Sequence, residues 1–125
     1  MDDLFAHEPL SMSIHDTFNE YYERQCNNNM YDFKMGGRIK DYLLNQGLLI
    51  IHEENKFDKE LTFNGPAEPL ILKAWENRFD RMFMFKEYVG DDSFNRIKRE
   101  FINCLSAENH MSKTIVKFII ARKKI

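Results

Sequence analysis

Residues 36–70, "GGRIKDYLLNQGLLIIHEENKFDKELTFNGPAEPL", constrain the fold more than any other stretch of this chain. Ile39, Tyr42 and Leu43 stand at i, i+3, i+4, the spacing of one helix face, and Gly47 is placed to stop that helix as a C-cap. Beyond Gly47 the pattern is no longer helical. "LLII" is a β-prone run, "HEENKFDKE" is polar and turn-rich, and "LTF" is a second short run before Asn64-Gly65. Two such runs about a polar loop predict an antiparallel hairpin, 48–51 against 60–63, with residues 53–59 protruding as a wing.

The rest of the chain reads as helices. Pro9 and Ser11 or Ser13 can open one that runs to about Arg24, with Ile14, Phe18, Tyr21 and Tyr22 near one face. Three consecutive asparagines, 27–29, favour turn geometry and end it. Pro66 and Pro69 fit only the first turn of a following helix, because a proline there sacrifices no intrahelical bond. That helix should carry Leu72, Trp75, Phe79, Met82 and Phe83 at helical spacing. "MFMF" at 82–85 is apolar all round, so 82–89 can be helix or strand, and it fits core packing better than a dimerisation surface. Asp91, Asp92 and Ser93 offer caps for a helix bearing Phe94, Ile97, Phe101 and Leu105. In "HMSKTIVKFIIARKKI", Met111, Ile115, Phe118 and Ile119 share one helical face, yet the β-branched richness leaves 114–121 open to a strand.

With 125 residues, 43% of them hydrophobic and eleven of them phenylalanine, the chain can fill one core, so residues 1–125 read as a single domain. Ile39, Leu43, Leu48, Trp75, Phe79, Phe94, Ile97 and Phe101 are its expected members. Cys26 and Cys104 are isolated and form neither a zinc pattern nor a disulfide framework, which suits a reducing compartment. The acidic start "MDDLFAHEPL" is not a signal sequence, and no apolar run approaches the roughly 20 residues of a membrane span. The expectation is a cytoplasmic protein with no membrane partner, and its Asn-, Ile-, Lys- and Phe-rich usage fits a small bacterial or phage protein.

Charge is polarised along the chain. The net value is −2, but residues 1–20 carry five carboxylates and no Lys or Arg, whereas Lys113, Lys117, Arg122, Lys123 and Lys124 crowd the C-terminus. That cluster can serve as a solubilising face, a dock for the acidic N-terminus or a phosphate-binding stripe. Catalytic chemistry has little to stand on. His7, His15, His52 and His110 are scattered, metal-ligand spacings and a nucleophile elbow are missing, and Gly36-Gly37 lacks the flanks of a phosphate-cradling loop. The chain is therefore expected not to be an enzyme, and to need no cofactor or metal.

The order helix, glycine break, helix, Gln46-Gly47-Leu48-Leu49, strand, polar loop, Leu61-Thr62-Phe63-Asn64-Gly65, helix resembles the winged helix-turn-helix family over about residues 12–75. The resemblance implies that the helix before the wing enters the major groove and that the wing touches backbone or minor groove. Carried onto this sequence, it makes Arg38, Lys40 and Asn45 candidates on the recognition helix, with Lys56 and Lys59 on the wing. The sequence departs from that pattern in charge: Asp41, Glu53, Glu54, Asp58 and Glu60 would repel phosphate. Winged helices also bind proteins, a use this charge pattern suits.

The expected fold is thus mainly α with a small antiparallel β-hairpin (α+β), a winged-helix-like part over 12–75 followed by packed helices over 76–125. Two uses compete: a small DNA-binding regulator acting on duplex DNA, with a homodimer possible through the helices after residue 66, or a non-enzymatic protein-interaction module or inhibitor.

Overall fold

The structure, a computed structural model, describes residues 6–58 and 61–125. Its order is β1 (His7–Glu8), α1 (Met12–Asn27), α2 (Met35–Asn45), β2 (Leu48–Phe57), α3 (Pro69–Asp80), α4 (Phe83–Val89), α5 (Asp91–Ser106), β3 (Met111–Ser112) and β4 (Ile115–Lys123). This is a mixed α+β chain with two small antiparallel sheets, β1 with β3 and β2 with β4.

Local chemistry sets the helix ends. The Ser11 side chain accepts the Ile14 N–H at the start of α1, and Asn29 leaves the helix in the left-handed region at φ 56. Pro69 opens α3 with its fixed φ and its missing N–H, both harmless in a first turn. The expected long helix from 66–68 is instead two, because the chain turns at Arg81 before Phe83 begins α4; "MFMF" is thereby mostly helix. Gly90 joins α4 to α5 at φ 86 and ψ 158, a conformation that side chains oppose. Asp91 and Asp92 then place negative charge at the positive end of α5.

The core lies among α1, α3, α4 and α5 and is built largely from rings. Phe101 on α5 meets Trp75 and Phe79 of α3 at centroid separations of 4.8 and 5.2 Å, while Phe85 of α4 reaches Tyr21 and Phe18 of α1 at 5.1 and 5.3 Å. Trp75, Phe79, Phe94, Ile97 and Phe101 are buried as the sequence predicts. Ile39, Leu43 and Leu48 are only half-buried, and this corrects the expectation. Their helix stripe is real, but no residue of α2 is buried, because α2 packs on a thin ribbon outside the main core.

The larger correction concerns the hairpin. The segment 48–51 begins a ten-residue strand that runs through the expected polar loop and pairs with β4, from Leu48↔Lys123 to Phe57↔Ile115, with a bulge at Ile51. Residues 114–121 are accordingly mostly strand, so the helical face drawn through Met111 and Ile119 does not form. Of the other half of the expected hairpin, 61–63 lies outside any strand, and Glu60 lies outside the described residues. Side-chain hydroxyls explain where 61–63 goes. Ser112 Oγ donates to the Leu61 carbonyl and accepts the Phe63 N–H, and Thr62 Oγ1 accepts the Thr114 N–H at 3.0 Å. These bonds tie "LTF" to 112–114 and leave it apart from "LLII". The local wing on which the winged-helix resemblance rested is therefore absent among the described residues.

Candidate functional site

The α2–ribbon unit holds four of the five residues expected to contact nucleic acid; the fifth, Lys59, lies outside the described residues. Each of the three basic candidates among them has an acidic neighbour. Lys40 Nζ sits 2.6 Å from Glu53 Oε2, and Lys117 of β4 approaches the other oxygen of the same carboxylate at 3.4 Å. Arg38 lies 3.4 Å from Asp32 and 3.8 Å from Glu23, and also donates to Cys26 Sγ. Lys56 lies 3.5 Å from Glu54 and over the Phe118 ring. Asn45 is exposed in the last turn of α2. The hydrogen bond from Lys40 holds the Glu53 carboxyl below its ordinary range, and Glu53 raises Lys40 in return. Most of these pairs are exposed and screened, and each offsets a positive charge that phosphate would have to meet; the Asp32 side chain is the more enclosed one, at 11%.

Residues directly opposite in an antiparallel ladder point to the same side. The pair Glu53↔Ile119 faces α2, since Lys40 reaches Glu53, so Leu49↔Arg122, His52↔Ile120, Glu54↔Phe118 and Lys56↔Val116 face away. That outer side is mixed, and beside Arg122, His52, Glu54 and Lys56 it carries large apolar side chains well exposed: Leu49, Phe118 and Ile120 are 42%, 50% and 57% exposed. The bulged Ile51 adds a further exposed side chain. At its end, Arg122, Lys123 and Lys124 make no ion pair among the described residues.

Elsewhere the titratable groups serve the fold. His7 and His110 are fully buried, with Nδ1 of the first 3.1 Å from Nε2 of the second. His110 Nδ1 lies 2.9 Å from the Gly65 carbonyl oxygen, which can only accept. That nitrogen therefore carries the proton, leaving Nε2 to accept from His7. Burial holds His110 below its ordinary pKa and pushes the Cys104 thiol up to about 11, away from a reactive thiolate. Among the described residues no three His, Cys, Asp or Glu side chains converge as a metal site would require. Nor is any helix there long and apolar enough to cross a membrane. A cleft of about 390 Å³ lies beside Tyr31, Phe33, Arg81 and Phe83.

Sequence reasoning placed the charged candidates on one unit but drew Phe118 on a helical face of the C-terminal segment with Met111, Ile115 and Ile119 and did not single out Ile120. Only the β-branched run of that segment hinted at a strand. Comparison with protein-family models, curated proteins and solved structures gives no match to this chain.

Proposed function

We propose that this chain is a non-enzymatic protein-interaction module whose binding surface is the side of the β2/β4 ribbon turned away from α2. The observation that carries this reading is the row Leu49, Phe118 and Ile120, each exposed over about half its surface on the ribbon side turned away from α2, which no helix covers among the described residues. Exposed apolar and aromatic side chains interleaved with charge, here His52, Glu54 and Lys56, are a composition that protein interfaces use. Arg122, Lys123 and Lys124 at one end favour a partner that is acidic there. The test immobilises the chain beside a Phe118→Ser, Ile120→Ser variant in lysate. A stoichiometric protein retained by the parent and lost by the folded variant supports the reading; equal retention by both defeats it.

One observation favours the DNA-binding regulator as a second reading. The cations Arg122, Lys123 and Lys124 make no ion pair among the described residues, and a two-stranded ribbon is narrow enough for a major groove. In a winged-helix-like use, α2 would enter the groove, and β2 closed by β4 would take the place of the wing. Arg38, Lys40, Asn45, Lys56 and Lys59 would then approach phosphate only by exchanging their carboxylate partners for it. Duplex binding by fluorescence polarisation should weaken steeply as salt rises and be lost with Arg38→Ala, Lys40→Ala. Absence of binding at low salt removes this use.

A further inference from the structure

We propose that the cleft between the α1–α2 connection and the α3–α4 joint is a small-molecule site that takes a free aromatic carboxylate, its ring among the cleft's rings and its anion on Arg81 and Arg78. The inference stands apart from the partner reading, because none of the residues lining this cleft belongs to the ribbon.

Rings shape the cleft. Phe33 stacks on Tyr22 at a centroid separation of 4.5 Å with the planes 20° apart, and Tyr31 lies beyond Phe33 at 5.9 Å. The second lining segment runs from Arg78 to Met84 and includes most of "MFMF", which reads as core in the sequence. Only Phe85 of that run is buried. Phe83 is 73% exposed and Tyr31 58%, so two aromatic side chains of the cleft stand largely in water. The unbranched thioethers of Met82 and Met84 can adapt to a flat ring laid beside them. The space is about 390 Å³, at the lower end of the roughly 300–1,000 Å³ of small-molecule sites.

Charge then selects the ligand. Two guanidiniums line the cleft, and no carboxylate does so among the described residues. The α2–ribbon unit is different, since Arg38, Lys40 and Lys56 each meet an acid there. Arg81 is exposed and makes no ion pair among the described residues. Arg78, one turn earlier, is held with its guanidinium 4.4 Å from the centre of the Trp75 ring. Stacking uses the face of a guanidinium, whereas the N–H fork that grips a carboxylate through two parallel bonds lies in its plane. A neutral ring would leave this charge to water alone, and a bare anion would leave the rings wet. An aromatic carboxylate meets both demands.

The probe is cinnamate, titrated into the full chain by calorimetry and followed by amide NMR. It should bind saturably at millimolar concentration or below and shift the amides of residues 31–33 and 81–84. Cinnamyl alcohol, which has no charge, and acetate, which has no ring, should each bind at least about tenfold more weakly. Arg81→Gln should weaken cinnamate by about tenfold and leave the alcohol unchanged, a split that loss of shape would not produce. Tyr31→Ala, at an exposed ring, should weaken both ligands and provides a second measurement if Arg81→Gln disturbs the fold. The Phe118→Ser, Ile120→Ser variant should bind cinnamate as the parent does, so failure here is distinct from failure of the ribbon reading. Absence of saturable binding, equal binding of the alcohol, amide shifts confined to the ribbon, or unchanged affinity in the Arg81 and Tyr31 variants overturns the proposal. So does capture of a peptide with one tryptophan between two acidic residues when cinnamate does not bind, which assigns the cleft to a protein partner.

Discussion

The helical core and the α2–ribbon unit are built from similar apolar residues and use them in opposite ways. In the core, Phe18, Phe79 and Phe101 are wholly enclosed and meet other rings. On the ribbon, Phe118 keeps half its surface in water and has a lysine over its ring. The difference lies in layers. Four helices surround a shared interior, whereas a two-stranded sheet with one helix on it has an interior on one side only. Phenylalanine on the other side is only half enclosed, so it contributes less to stability than the same residue in the core.

The strongest way to break this comparison is to truncate one ring in each region. Phe101→Ala should cost about 3–5 kcal/mol, since it opens a cavity among Trp75, Phe79 and His7 that the surrounding rings cannot fill. Phe118→Ala should cost less than about 1 kcal/mol. Equal losses in urea denaturation would mean that the ribbon is part of the folding unit's core. Next in size is Gly90→Ala, which should cost about 1–3 kcal/mol because φ 86 with ψ 158 strains any side-chain-bearing residue. Nothing lies within 4 Å of where its Cβ would stand, so the loss would be conformational and not steric crowding by neighbours. An unchanged midpoint would show that the α4–α5 joint can relax.

The two regions were unequally legible in the sequence. Helices α1 and α5 were readable because a helix that buries one face must repeat its apolar residues every three or four places, as Phe94, Ile97, Phe101 and Leu105 do. β2 was only half readable. Exposed over most of its length, its "HEENKF" portion is as polar as a loop, and no local signal joins it to a strand some 60 residues later. The nearer candidate, "LTF", carried the right β pattern, but it was claimed by Ser112 and Thr114, whose hydroxyl and backbone bonds act at a distance that spacing does not reveal. The candidate site shared this fate. That Glu53 and Glu54 would offset nearby lysines was visible in the charge count; which carboxylate meets which lysine depended on a register fixed by β4.

The buried histidines sharpen the comparison through pH. His110 is held neutral by burial, so its folded pKa lies below the ordinary value near 6.5. The unfolded chain therefore binds the extra proton first as acid is added. The stabilisation is complete above about pH 6.5 and is lost as pH falls through the folded value. Denaturation midpoints should decline on mild acidification, and His110→Phe should flatten that decline while lowering stability at neutral pH, because the Gly65 carbonyl loses its donor. A parent midpoint that stays level through this range would mean that the pair takes up a proton without cost.

The smallest effect belongs to the ribbon's own charges. Lys40 and Glu53 approach to 2.6 Å, the shortest ion-pair distance at this face, yet their side chains remain 44% and 30% exposed. Water and salt screen such a pair, and ordering two long side chains offsets much of the attraction. Lys40→Ala should therefore leave the thermal midpoint nearly unchanged, and any difference from the parent should vanish at high salt. The short distance alone would suggest the reverse. What the substitution should change is local: with its Lys40 bond gone, the Glu53 carboxyl should titrate closer to its ordinary range, leaving Lys117 as its remaining partner. Carboxyl titration by NMR reads this directly. A large loss of stability that persists at high salt would mean that α2 is held on the ribbon by this pair, and the line between the stable core and the lightly held unit would have to be redrawn through β2.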